Sequence, residues 1–187
     1  AAAFVTAVMA LLGIATVALL GLLATLFICY FFRDPDRVIP DVPGAIVSPA
    51  DGKVIRVDQH QQSPYTSGPC RKISIFMSIF NVHVNRVPFD GQIKRISYYP
   101  GKFFSDNLDK ASQLNEHNAV YLQIDTDQDI CFVQIAGLVA RRIICNIQAA
   151  GTVVRGQRLG CISDGSRLDV YLPENAYNTQ NWVFACM

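Results

Sequence analysis

From Ala1 to Phe32 the chain carries no charged side chain, and its polar groups are Thr6, Thr16, Thr25 and the Tyr30 hydroxyl. Beyond that the pattern changes. Short apolar runs alternate with polar residues and are punctuated by Gly and Pro. The first stretch predicts a membrane anchor, because about 20 apolar residues cross a bilayer. As one helix it would run roughly 48 Å at ~1.5 Å per residue, long for a single span. It is therefore either a tilted membrane helix or a helical hairpin bent at Gly13 or Gly21. A signal peptide would have a basic start and a shorter apolar core, and neither is seen. Arg33 and Arg37 follow directly. Under the positive-inside rule they hold the rest of the chain on the cytoplasmic face of the cell membrane.

Residues 33–45 read as an extended linker, since Pro35, Pro40 and Pro43 exclude a helix there. Residues 46–187 then read as strands. Gly52 marks a turn between Ile46-Val47 and Val54–Val57, and residues 59–70 read as a polar loop. Ile73–Met77 alternates as a strand does. So does Val82–Val87, which would put His83, Asn85 and Val87 on one face. Further strands are predicted at Gln92–Tyr99, Ala119–Ile124, Ile130–Ile135 and Ile143–Ala149, with a turn-rich β segment from Gly151 to Gly160. A loop with a short helix is expected at 101–118. Many short strands with Gly turns predict a mainly β domain, a single β-sandwich or an open barrel-like fold.

Composition adds limits rather than chemistry. Setting the apolar start aside, about 150 residues remain, the usual size of one domain. A net charge of +1 gives no electrostatic case for nucleic-acid binding. The six cysteines form no C-x-x-C pair, and no His completes a zinc site. They read as buried free thiols in a reducing compartment, with a disulfide as the alternative.

Three polar stretches stand out from the strand pattern. Ser48–Val54 carries Asp51, Met77–Pro88 carries His83, and Cys161–Pro173 carries Gly165-Ser166. Each has a bland reading: Asp-Gly and Gly-Ser suit turns, and a strand His can be a satisfied core residue. Together, an acid, an imidazole and a hydroxyl are the parts of an activated nucleophile.

These stretches also resemble a known family. FFRDP at 31–35, SPADGKV at 48–54, NVHVNRVP at 81–88, PGKF at 100–103, DKAS at 109–112, NEHN at 115–118, QIAGLVARRI at 134–143 and GSRLDVYLP at 165–173 follow the order found in the short bacterial and archaeal type of phosphatidylserine decarboxylase. The resemblance implies a self-processing proenzyme. Ser166 would attack the Gly165 carbonyl, the resulting ester would eliminate, and hydrolysis would leave a pyruvoyl group made from Ser166. The chain would then become a β chain ending at Gly165 and a short α chain. His83, oriented by Asp51, would be the base, and His83 would also reprotonate the product carbon. The pyruvoyl group would be the electron sink that turns phosphatidylserine into phosphatidylethanolamine and CO2. Arg141, Arg142 and Lys102 are candidates for the lipid phosphate. No metal is implied, and a homo-oligomer is compatible with this reading. Two other readings compete: a decarboxylase of another serine-linked lipid, such as an archaeal ether lipid, and an uncut, non-catalytic β domain that binds lipid or a partner. Asp164 stands where the family commonly has an aromatic residue, and the tail after Pro173 departs from the family's Val- and Gly-rich segment.

Overall fold

A computed structural model describes residues 1–42, 44–66, 68–101, 115–125, 128–137, 142–162 and 166–173. The chain forms two compact units, Ala1–Pro35 and Asp36–Met187.

The first unit is a pair of packed helices, α1 (Ala2–Leu11) and α2 (Ala15–Phe31). Gly13 breaks the run at φ +73°, a left-handed conformation that a helix does not continue and that Gly adopts without a Cβ penalty. The helices meet where Thr6 lies against Gly21, and a Cβ on Gly21 would run into the Thr6 side chain. Of the two alternatives for the apolar run, the single tilted helix is not formed, and the helical hairpin bent at Gly13 is. At ~1.5 Å per residue α1 is about 15 Å long and α2 about 25 Å, against an apolar bilayer core of about 30 Å. Among the described residues no helix is long and apolar enough to cross a membrane. A membrane-spanning helix is therefore unsupported, because the bend at Gly13 divides the apolar run into two shorter helices.

The second unit is mainly β. The strands are β1 (Lys53–Gln61), β2 (Cys70–Met77), β3 (Val84–Arg86), β4 (Gly91–Tyr99), β5 (His117–Asp125), β6 (Gln128–Ile135), β7 (Ile143–Cys145), β8 (Thr152–Val153), β9 (Arg158–Ile162) and β10 (Ser166–Pro173). They build a seven-stranded antiparallel sheet, ordered β1-β2-β10-β6-β5-β4-β8, and a three-stranded sheet, ordered β3-β9-β7. The predicted polar loop at 59–70 starts later than expected, because β1 continues to Gln61. It does so through a register shift between Asp58 and Gln61, where His60 takes φ +53°. The predicted strands at 82–87 and 143–149 shorten to three residues each. Residues 46–47 are buried without joining a sheet. Of the loop predicted at 101–118, residues 102–114 lie outside the described residues, and His117 and Asn118 belong to β5.

Alternation along the strands sets the layers. Ile73, Ile75 and Met77 of β2, Val120 and Leu122 of β5, Ile130 and Phe132 of β6, and Leu168, Val170 and Leu172 of β10 share one core. Leu159 and Ile162 of the small sheet complete that core, so it lies between the two sheets. The in-between residues of the same strands face the other way. Ala119, Tyr121, Cys131, Val133, Ile135 and Tyr171 form a second cluster with Cys70, and Tyr65 packs on it. Strand β10 is buried on both faces, which is the pattern of a central strand.

Candidate active site

The three polar stretches converge at one end of the large sheet. Gly52 closely approaches the Phe76 backbone, where any Cβ would run into the Phe76 carbonyl oxygen. That contact seats the Asp51–Gly52 turn beside the end of β2. The same segment is stitched to the His83 stretch by Val47 N–H to Pro88 O, 3.0 Å, and Arg86 N–H to Pro49 O, 2.9 Å. Ser48 Oγ donates to Ala50 O at 2.7 Å and closes the turn.

The His83 stretch reaches the third segment through β9. Val84 pairs with Cys161 and Asn85 with Gly160, and Ile162 N–H points at His83 O, 3.4 Å away. Four residues after Ile162, β10 begins at Ser166, which stands directly opposite Met77 in the β2 ladder. Met77 in turn leads into a tight turn. There Asn81 N–H donates to Ser78 O at 2.9 Å, and Asn81 Oδ1 accepts from both Ser78 N–H (2.9 Å) and Ser78 Oγ (2.7 Å). This turn delivers His83.

His83 is buried, at 3% exposure. Its Nδ1 is 3.0 Å from the Asn81 carbonyl oxygen. A carbonyl only accepts, so Nδ1 carries the proton and Nε2 carries the lone pair of the neutral ring. On Nδ1 the orienting group is therefore a backbone carbonyl rather than the Asp51 carboxylate named from the resemblance. Asp51 Oδ2 instead receives Arg37 Nη2 at 2.5 Å, with both side chains about one-fifth exposed. His117 offers a contrast. Its Nδ1 lies 2.7 Å from Asn115 O, its Nε2 lies 3.1 Å from the Tyr65 hydroxyl, and Tyr99 stacks on its ring at 4.7 Å. Both of its nitrogens are committed to structure.

Behind β10, on the face away from the core, sits a buried ion cluster. Arg167 Nε and Nη2 donate to the two Asp169 oxygens at 2.6 and 3.2 Å, Arg167 Nη2 also reaches Ser74 Oγ at 2.9 Å, and Lys72 Nζ lies 3.0 Å from Asp169. The Tyr65 and Tyr171 hydroxyls beside it are pushed well above the usual phenol range, first of all by burial. Burial also raises the Cys131, Cys145 and Cys161 thiols. Sequence reasoning missed Arg37, which sits in the supposed linker, and the Arg167–Asp169 pair. The alternating charges at 167 and 169 in an otherwise apolar strand were a visible signal for the latter.

Of the named candidates, Asp51 and His83 lie on segments joined by backbone hydrogen bonds. Ser166 heads β10, with its backbone in the sheet. Arg142 is exposed. Gly165, Asp164, Arg141 and Lys102 lie outside the described residues. The described backbone thus brings the Asp51 and His83 segments to the end of β2 that faces Ser166, the head of β10.

A family model for phosphatidylserine decarboxylase matches residues 24–184. A phosphatidylserine decarboxylase proenzyme of Syntrophus aciditrophicus is 53% identical over 158 residues, covering 84% of this chain and 74% of the relative. One of Desulfotalea psychrophila is 46% identical over 172 residues, covering 92% and 80%. One of Nitrosomonas europaea is 50% identical over 151 residues, covering 81% and 69%. The chain belongs to the phosphatidylserine decarboxylase family.

Proposed function

We propose that this chain is a self-cleaving proenzyme that, once cut between Gly165 and Ser166, decarboxylates phosphatidylserine to phosphatidylethanolamine at a membrane. The observation that carries the reading is the backbone convergence of residues 48–52, residues 81–88, the end of β9 at 161–162 and Ser166 at the head of β10. The position of β10 fits a cut there. Ser166 opens a strand with eight ladder partners on β2 and five on β6, so a new chain end at 166 stays anchored in the sheet. The protonated Nδ1 of His83 leaves the Nε2 lone pair as the base that takes the Ser166 hydroxyl proton.

The pyruvoyl group formed from Ser166 supplies the electron sink for loss of CO2. The chain's own part is to hold that strand end rigid, to keep bulk water away through the packed core beneath it, and to carry a proton on His83. The apolar helices α1 and α2 supply the affinity for lipid. They expose Leu11, Leu20, Leu23 and Leu26 and carry no charge. Arg33 folds back over the Tyr30 ring at 3.9 Å, a cation at the polar end of an apolar helix that suits a cytoplasmic interface.

Intact mass of the purified full chain tests the reading. Two species are expected, residues 1–165 and 166–187, the second without an N-terminal amine. A single uncut chain that releases no CO2 from phosphatidylserine vesicles overturns it. Ether-linked serine lipid vesicles, assayed in parallel, fix the lipid class.

A further inference from the structure

One end of the large sheet is a single row of residues across its strands. Lys53 of β1 stands opposite Phe76 of β2, Phe76 opposite Arg167 of β10, Arg167 opposite Ile135 of β6, Ile135 opposite His117 of β5, and His117 opposite Tyr99 of β4. At about 4.8 Å from strand to strand the row is about 24 Å long. Past it, beyond the end of β2, lies the turn Ser78–Asn81, closed by Asn81 N–H to Ser78 O. Its corner positions hold Ile79 and Phe80, where Gly, Pro, Asn, Asp and Ser are the usual residues. Both side chains are exposed. The turn is a fixed frame rather than a slack loop, since Asn81 Oδ1 accepts from both Ser78 N–H and Ser78 Oγ.

Single exposed apolar side chains are ordinary on any protein surface, so their distribution is what carries information. Among the described residues of the β unit, the exposed aromatic side chains are Phe80 at 62%, Tyr98 at 56% and Tyr99 at 40%. All of them stand at this end of the sheet, Phe80 just past β2 and the two tyrosines at the end of β4. An exposed cation, Lys53, heads β1 in the same row. Aromatic rings, above all those with a polar tip, settle at the level of lipid head groups, and a Lys beside them is drawn to an anionic leaflet. His83 lies three residues beyond Phe80, no more than about 11 Å along the chain.

Resting on the function proposed above, we propose that this end of the large sheet is the face by which the β unit docks onto an anionic lipid bilayer. Phe80 inserts among the head groups with Ile79 beside it, Tyr98 and Tyr99 sit at the interface, and Lys53 meets the anionic surface. Phosphatidylserine keeps its acyl chains in the bilayer, so only its head group can reach a protein group. Docking by this end brings the His83 segment to the lipid. Docking by the opposite end, where Gly91 pairs with Val153 and Val154 is exposed, would hold it back by the length of β4, about 27 Å. The spread of the aromatic side chains fits a bilayer better than a protein partner. Protein partners are gripped by anchors clustered in one pocket, whereas β2 and β4 are separated by β10, β6 and β5, about 19 Å across the sheet.

The experiment uses the full chain with Trp182, its one Trp, replaced by Phe. Phe80→Trp then reports from the turn and Val154→Trp from the opposite end of β4. The vesicles contain phosphatidylglycerol, which is anionic and lacks the serine carboxyl, and phosphatidylcholine with brominated acyl chains, which quench only a Trp that enters the bilayer. Emission from position 80 is expected to shift to the blue and be quenched, and emission from position 154 to do neither. Helices α1 and α2 attach the full chain to the vesicle in both variants, so the contrast reads the face and not the attachment. No quenching at 80, or equal quenching at both positions, overturns the proposal. Adding Lys53→Gln to Phe80→Trp should weaken docking on these vesicles by about fivefold and leave docking on phosphatidylcholine alone unchanged. No change on the anionic vesicles overturns the role of Lys53. In the activity arm, Phe80→Asp should slow CO2 release from phosphatidylserine vesicles by about tenfold, with a change of less than about twofold on short-chain phosphatidylserine dispersed as monomers. Equal loss on both substrates overturns the docking role, since the turn would then serve the fold or the chemistry. If wild type releases CO2 from neither substrate, the function proposed above has failed, while quenching at position 80 still tests the docking face.

Discussion

Arg37 Nη2 and Asp51 Oδ2 lie 2.5 Å apart, joining the segment before the β domain to the turn that opens β1. The pair ties Asp51 to a cation fourteen residues earlier. Being partly exposed, it contributes about 0–1 kcal/mol to stability. Two roles for Asp51 then separate cleanly. If the carboxylate serves the chemistry, Asp51→Asn slows self-cleavage by tenfold or more while Arg37→Ala changes it by less than threefold. If Asp51 exists only to hold Arg37, both variants show the same small effect. Timed gels on the two variants, with thermal midpoints alongside, decide between them.

The buried cluster behind β10 places one carboxylate between two cations. Asp169 is 0% exposed and Arg167 2%. Asp169→Asn would leave both cations buried without their counter-charge, a change that costs about 3–5 kcal/mol. Lys72→Met should cost far less. The bidentate Arg167–Asp169 pair survives it, and the Lys stem is replaced by an apolar side chain of similar reach. Urea titrations should therefore show a large drop in midpoint for the first variant and a shift of under about 1 kcal/mol for the second. Equal losses would mean that Lys72, not Arg167, is the main partner.

Stability should fall on the alkaline side. Burial raises the Cys131 thiol above its ordinary 9.0, and raises the Tyr65 and Tyr171 phenols above 10.0. For an acid whose folded pKa is raised, the unfolded chain loses the proton first. The stabilisation is full below the unfolded value and is lost as pH climbs towards the folded one. The loss should begin near pH 9 with the thiol and steepen above pH 10 with the phenols. Denaturant midpoints from pH 8 to 11 measure it. Tyr171→Phe removes one titrating group and should flatten the limb above pH 10, while leaving the slope between 9 and 10 unchanged. An unchanged limb in that variant would sink the assignment.

The strands that packing made were readable, because a period of two survives in the sequence wherever one face is buried. Val82 to Val87 alternates, and the structure buries His83, Asn85 and Val87. Charges at 167 and 169 within an apolar strand were equally visible. What local pattern could not show was partnership over distance. Nothing near Tyr65 announces that its hydroxyl meets His117, 52 residues on. Nothing in β10 says that it inserts between β2 and β6. The apolar run at the start hid its own break, since hydropathy does not change at Gly13 while backbone conformation does. Asn85, Gln134 and Asn118 each lay in a quoted motif, but the hydrogen bonds from Asn118 to Gln134 and from Gln134 to Asn85 needed three strands to be set side by side.

Gly160 links the small sheet to the site and gives a last test. It is the residue of β9 that faces Asn85 on one side and Cys145 on the other. A Cβ there would run into the Ile144 carbonyl oxygen, with the Cys145 backbone close behind, so neither neighbour is a flexible side-chain tip. Gly160→Ala must therefore push β7 away from β9 or tilt β9 against β3. Overpacking of this kind costs about 1–3 kcal/mol. Because β3 follows directly on His83 and pairs with β9, the shift should also slow cleavage, by less than removal of the His83 imidazole does. Gly68→Ala is the matched control, since no atom lies within 4 Å of its Cβ position. The expected result is a lowered thermal midpoint and slower cleavage for Gly160→Ala, with both unchanged for Gly68→Ala. A lowered midpoint with full cleavage speed would mean that the small sheet supports stability without aligning the site.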